Sequence, residues 1–260
     1  MLKWLFIIIL ISVILRLSKK SFANKNTSIL KNGFQVLDCF TESDINYLTQ
    51  LWYAKETEKM KEFIHGNQNV LRHIQQILGS DYIFQDYIFL IEKSRIHTCH
   101  RDFNAKMLNN KQKYPSYTII FYLEKMDRCL DVINNSHKTS VGLYLTDETK
   151  SIQCKPGDAI LFDAGLIHSG SQNDNPNNKR IQMKITHKDD IKAISFYQNY
   201  NKKLESENTN SDIYNSVQKH LTCQFPTFSD SFTNNVPKSA EKMFASVFYG
   251  DSNFYELKDI

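Results

Sequence analysis

Glycine and proline are scarce, at 8 and 5 of 260 residues, which excludes collagen-like, low-complexity and linker-rich chains. No C-x-x-C pair occurs among the five cysteines, Cys39, Cys99, Cys129, Cys154 and Cys223. Their count is odd and their spacing wide, so neither a disulfide framework nor a zinc knuckle is expected, and scattered free thiols in a reducing compartment fit best. A strong charge of one sign is also missing. The formal net charge is +4, and lysines fall in short pairs such as Lys19-Lys20 and Lys202-Lys203, so no nucleic-acid partner is implied. No apolar run reaches the ~20 residues of a comfortable membrane span, and no internal repeat is seen.

What the chain has in quantity is apolar bulk: 17 Phe, 13 Tyr and a hydrophobic fraction of 41% against 23% charged. At this length that supports one large domain with a buried core, or one domain with appendages. The front of the chain stands apart. Trp4–Leu15 reads WLFIIILISVIL, broken only by Ser12. No small-x-small cleavage motif follows, because Arg16, Lys19 and Lys20 intervene, so residues 1–20 are expected to form an N-terminal membrane anchor or uncleaved signal. More Lys and Arg follow the run than precede it, which leaves the body facing the cytoplasm by the positive-inside rule. The sequons at Asn26 and Asn134 would count only in a lumen.

Beyond a polar linker, Phe34, Val36 and Leu37 suggest a short strand. Thr41 then has the place of an N-cap, and Ile45, Leu48, Leu51 and Trp52 recur at helical spacing. Val70–Leu78 repeats that period, with Gly79 as a stop. From Tyr82 the period shortens towards two. Tyr82–Glu92, Tyr117–Leu123, Val141–Leu145, Ala159–Phe162 and Arg180–Thr186 read as strands separated by turn chemistry such as Lys155-Pro156-Gly157-Asp158. The pattern predicts a mainly β fold with flanking helices, a sandwich or jelly roll. Past Lys188 it loosens, with a helix predicted over Ser239–Val247.

Chemistry concentrates in two blocks. His100 and Asp102 are two apart, and on an extended segment such positions project to one face, so an imidazole and a carboxylate can share a cation. His168, in a short loop after the strand Ala159–Phe162, is the candidate third ligand. Two histidines and a carboxylate on one side of an ion leave positions open, the arrangement diagnostic of non-haem iron(II) oxygenases. Arg180 then opens an alternating strand in which Arg180, Gln182 and Lys184 share one face and Ile181, Met183 and Ile185 the other. An inward arginine is costly unless a carboxylate meets it, and the far carboxylate of 2-oxoglutarate would do so as a planar, two-bonded partner. The neighbouring residues read more blandly. His97 lies at the wrong parity for a ligand, Cys99 is a packed thiol, His137 a turn residue, and Asp158 and Asp163 turn or surface groups. Thr118 and Tyr122 are candidates to line a cosubstrate pocket.

His100-Arg101-Asp102, Asn135-Ser136-His137-Lys138, Gly157-Asp158, His168-Ser169-Gly170-Ser171-Gln172-Asn173 and Arg180 follow one another as do the motifs of the phytanoyl-CoA dioxygenase family, and the opening Asn32-Gly33-Phe34 is similar to that family's start. The chain resembles this family over roughly residues 30–190, departing from it at Asn134 and Asn135, where the family often has Pro and Gly. The resemblance implies a double-stranded β-helix (jelly roll, cupin-like) over 30–190; the tail, 191–260, has no counterpart in the family's pattern and reads as a partly helical C-terminal extension. It implies iron(II) and dioxygen, 2-oxoglutarate as cosubstrate, ascorbate as an optional reductant, and hydroxylation of a small-molecule or lipid-like substrate with release of succinate and CO2. The metal ligands are then His100, Asp102 and His168, and Arg180 binds the cosubstrate. Two other readings stay open: a catalytically silent, membrane-anchored scaffold on the same barrel, and a lysyl or prolyl hydroxylase of proteins.

Overall fold

The computed structural model describes residue 11 and residues 21–23, 27–92, 98–140, 144, 149–171, 175, 178–204, 219–220, 222–224 and 257–260. The expected strand at 141–145, apart from Tyr144, and the expected helix at 239–247 lie outside these residues. So does the expected membrane anchor over Trp4–Leu15, apart from Ile11. Among the described residues no helix is long and apolar enough to cross a membrane. The expectation of a membrane-associated protein with a transmembrane helix and the membrane as partner is corrected accordingly. Physically, twelve residues of helix reach ~18 Å at ~1.5 Å each, against a hydrocarbon thickness of ~30 Å.

Eleven strands are labelled in chain order: β1 Phe34–Asp38, β2 Tyr82–Phe84, β3 Tyr87–Ile91, β4 Tyr117–Tyr122, β5 Met126–Ile133, β6 Thr149–Cys154, β7 Asp158–Asp163, β8 His168–Gly170, β9 Arg180–His187, β10 Tyr200–Leu204 and β11 Leu257–Asp259. They form a large sheet ordered β1-β7-β4-β9-β3-β10-β11, with β2 also on β9, and a small sheet ordered β6-β5-β8. The two sheets make the mainly β, double-stranded β-helix architecture expected. β10 and β11, both beyond residue 190, belong to the large sheet. The strand expected over Tyr82–Glu92 is broken into β2 and β3 by a change of register on β9: the Gln85 N–H still bonds the Lys184 carbonyl at 2.9 Å, the Tyr87 N–H turns back to Gln85 at 2.8 Å, and pairing resumes with Phe89 opposite Gln182.

Side-chain parity sorts the large sheet into two faces. Ile119 and Phe121 of β4, Ala159 and Leu161 of β7, and Ile181, Met183 and Ile185 of β9 join one core with the helices. Ile120, Tyr122, Ile160 and Phe162 point the other way, into a core shared with Leu130, Val132 and Ile152 of the small sheet. Arg180, Gln182 and Lys184 therefore face the interior between the sheets.

The helices cover the outer face. Glu42–Ala54 starts at Thr41 with a reciprocal capping box to Asp44, an arrangement worth about 1 kcal/mol, and it buries Leu48, Leu51 and Trp52. Gln68–Leu78 is capped by Asn67, which accepts from the Asn69 and Val70 N–H groups at 3.1 Å. Between them the chain forms a helix, Thr57–Gly66, that no expectation above covers. Met60 and Ile64 provide its buried stripe, and the buried Lys61 is paired to Asp86 at 2.6 Å and Glu58 at 3.0 Å.

The cysteines depart from expectation. Cys99 and Cys223 form a disulfide, whereas Cys39, Cys129 and Cys154 are buried and in no disulfide. Disulfides persist in oxidising compartments, so the thiols lend no support to a cytoplasm-facing body. The same C-terminal stretch is docked by a buried ion pair from Lys219 to Asp131 and by the Tyr144 N–H bond to the Gln224 carbonyl at 2.9 Å.

Candidate metal centre

The turn between β7 and β8 delivers His168. Asp163 Oδ1 accepts from the Gly165 N–H at 2.7 Å, and the Asp163 carbonyl accepts from the Leu166 N–H at 2.9 Å. The Ile167 N–H donates to the Ser136 hydroxyl at 2.8 Å, which itself donates to the Ile133 carbonyl at 2.7 Å. Ser136 thereby ties the end of β5 to the residue before His168. Gly33 backs this turn with a positive φ of 88°, and a Cβ there would lie 2.6 Å from both His137 Nδ1 and Leu166 Cδ1. His137, whose ring such a Cβ would press, is thus a packing residue of the turn. His97 lies outside the described residues.

The segment carrying His100 and Asp102 comes alongside. His100 and His168 form an antiparallel bridge, and the Asp102 N–H donates to the Ala164 carbonyl at 2.9 Å. Arg101 points away, its Nε donating to the Gly165 carbonyl at 3.1 Å. The extended-segment parity expected from sequence therefore holds: Cys99 and Arg101 pack on one side, His100 and Asp102 on the other.

His100, Asp102 and His168 each offer a ligand atom, and these atoms all lie within 4.8 Å of one another. Both imidazoles are held in one tautomer. His100 Nδ1 sits 2.8 Å from the Thr98 carbonyl and His168 Nδ1 2.9 Å from the Leu166 carbonyl. A carbonyl only accepts, so each Nδ1 carries the proton and each Nε2 presents its lone pair to the site, as a metal-binding histidine does. Burial and the neighbouring His100 push the His168 pKa down to about 4, so it stays neutral at physiological pH. Burial alone would raise the Asp102 carboxyl, but Lys184, His168 and His100 outweigh it and hold the group well below the usual carboxylate range. Two imidazoles with Nδ1 engaged by backbone carbonyls and an ionised carboxylate, all turned to one point, suit a divalent cation.

Phe162 packs on the His168 ring at 4.5 Å, and Thr118 and Tyr122 both face inward from β4, fully buried. Arg180 is buried at 3% exposure, and its strand register sets it between Tyr122 and Ile91. Lys179 points to the opposite face, where it pairs with Glu124 at 2.7 Å. Lys184 escaped the sequence reading. It lies 2.7 Å from Asp102 Oδ2 and is 1% exposed on its side chain. The signal was present, because a lysine at the inward parity of β9 must find a carboxylate, and Asp102 is the one the ligand pattern turns inward.

Residues 30–181 match the family model for phytanoyl-CoA dioxygenase. The chain belongs to the phytanoyl-CoA dioxygenase family. No protein of curated function matches the sequence. Among solved structures, the non-heme alpha-ketoglutarate-dependent epimerase SnoN from nogalamycin biosynthesis aligns with 10% identity and a TM-score of 0.50, over 61% of this chain and 79% of its own. EvdMO1 aligns with 13% identity and a TM-score of 0.50, over 61% of this chain and 48% of its own. At such identities the likeness is one of fold. Iron(II) and 2-oxoglutarate are the cofactors of this family member, whose His-Asp-His cluster could hold the metal, and its activity is of the iron- and 2-oxoglutarate-dependent oxygenase type.

Proposed function

We infer that His100, Asp102 and His168 are the ligands of iron(II), that Arg180 receives the far carboxylate of 2-oxoglutarate, and that the protein hydroxylates a small-molecule or lipid-like substrate. The observation that carries this reading is the convergence of the three donor atoms with both Nε2 lone pairs turned inward. Bound there, iron and 2-oxoglutarate supply dioxygen activation, with the cosubstrate leaving as succinate and CO2. The chain's own residues supply the setting. His168 stays neutral and ready to donate its lone pair. Asp102 provides one negative charge against the two positive charges of the ion. Arg180 offers a buried guanidinium, a group that makes strong two-bonded contacts with a carboxylate. The aromatic and aliphatic walls keep bulk water from the reacting groups.

Support for an apolar substrate comes from an exposed aromatic pair. Phe103, next in chain to Asp102, and Phe196 meet edge to face at 4.7 Å, and each is 42% exposed. Two half-exposed phenyl rings, one of them adjacent in chain to Asp102, favour a hydrophobic body over a polar one. The intact donor set argues against a silent scaffold.

Anaerobic addition of iron(II) and 2-oxoglutarate to the purified protein is expected to give a weak visible charge-transfer band, absent in His168→Ala. With dioxygen admitted, succinate should form, and metabolite screening by mass spectrometry should find a product heavier by one oxygen atom. A wild-type spectrum without the band, or a band unchanged in His168→Ala, ends this reading.

A further inference from the structure

Asp102 has two carboxylate oxygens with different surroundings. Oδ1 lies 3.9 Å from His168 Nε2, on the side of the other donors. Oδ2 is turned away and engaged twice, by the Lys184 ammonium at 2.7 Å and by a short bond from the Thr118 hydroxyl. Lys184 also donates to Thr118 Oγ1 at 2.8 Å, which closes a triangle of three side chains. Thr118 and Lys184 are register partners across β4 and β9. The triangle is therefore anchored in the middle of the large sheet and reaches out to a residue that lies in no strand.

We propose that Lys184, acting with Thr118, is the positioning residue of the metal site: it holds Asp102 Oδ2 so that only Oδ1 is free for the ion. The proposal rests on the reading of Asp102 as an iron ligand. Burying an ammonium is costly, and an apolar side chain of similar volume would fill the space without that cost. What the ammonium adds is a fixed direction for the carboxylate. Its remaining side faces the rings of Tyr87 and Tyr197, at 5.7 and 5.3 Å from their centroids, so swinging towards another anion would mean leaving both faces. A carboxylate free to rotate can grip a cation through both oxygens and consume a coordination position. Held by Oδ2, it binds through one oxygen, and the open positions of a facial triad stay open.

Cobalt(II) is a direct probe, because its visible absorption reports coordination number without turnover. Full-length wild type, Lys184→Met and Thr118→Val would be titrated with cobalt(II) alone. The expected result is cobalt affinity weaker by about tenfold to a hundredfold in Lys184→Met, the range typical for groups that orient a ligand. Its spectrum should also change in band position and intensity. Thr118→Val should move both in the same direction by less. If Lys184→Met does not fold, Thr118→Val decides, and wild-type affinity with a wild-type spectrum in that variant overturns the proposal. So does a Lys184→Met protein that binds cobalt normally and only requires more 2-oxoglutarate, which would make the lysine a cosubstrate contact. Wild type that binds no cobalt sinks the metal-site reading and this proposal with it. Binding by wild type and not by His168→Ala upholds that reading and leaves the two variants to judge Lys184.

Discussion

His100 and His168 are held together by two reciprocal backbone bonds, each residue's N–H meeting the other's carbonyl at 3.0 Å, while their rings lie 4.5 Å apart at 52°. Strand pairing therefore sets the separation of the two imidazoles, with no cation needed to draw them together. Chelating the metal is expected to leave the β-sheet circular dichroism unchanged. Restoring iron(II) anaerobically at about 100 times its Kd should add about 2.7 kcal/mol of stability, a rise in Tm of roughly 5–10 °C for a chain of this size. Collapse of the β signal on chelation would contradict this account of the pairing.

Arg180→Ala should raise the 2-oxoglutarate concentration for half-maximal succinate release on the order of 100-fold, since truncating one partner of a buried charged pair costs about 2–5 kcal/mol. Arg180→Lys should recover part of that loss, a point charge being a poorer match to a carboxylate than a planar fork. Turnover at saturating 2-oxoglutarate should change much less. A cosubstrate curve that does not move in Arg180→Ala removes this residue from the site.

Asp163 sets a pH dependence. Burial, reinforced by the charge of Asp102 and only partly offset by the Gly165 N–H, raises its pKa to about 6, against roughly 3.9 in an unfolded chain. Stability from the protonated carboxyl is complete below about pH 4 and is lost as pH rises through 6. Asp163→Asn keeps an acceptor for Gly165 and removes the titration. Its Tm relative to wild type should therefore climb between pH 4 and 6 and then level off. A difference that stays flat with pH would show that this carboxyl does not titrate as described.

The Cys99–Cys223 bridge spans a sequence separation of 124, so its removal should be felt mainly through the unfolded chain. Cys223→Ser is expected to lower stability by about 2–4 kcal/mol in urea unfolding, and a dithiol reductant should do the same to wild type but nothing further to the variant. Equal midpoints for wild type with and without reductant would mean the two sulfurs are not joined.

Much of the site was legible because it depends on parity. Positions two apart place His100 with Asp102, and alternation along β9 separates Arg180, Gln182 and Lys184 from Ile181, Met183 and Ile185. Both patterns are local and survive folding unchanged. The Thr41 cap and the Gly79 stop were readable for the same reason. The pairing of Lys184 with Asp102 was harder to read: parity turns both inward, but the contact itself crosses from a strand to a loop far away in the chain. The disulfide was hidden by five cysteines that allow many pairings. The apolar run at Trp4–Leu15 misled in another way: the basic residues after it and the missing cleavage motif point to an anchor, while its length already falls short of a span.

β10 lies parallel to β3, with Tyr200 to Leu204 opposite Tyr87 to Ile91, and so covers one flank of the strand that pairs with the Arg180 end of β9. A chain shortened to its first 190 residues would bare the amides and carbonyls of β3 along that flank. An uncovered edge of that kind recruits strands from other molecules. Such a fragment should precipitate or form oligomers through β3, so the stretch after Tyr197 also guards solubility.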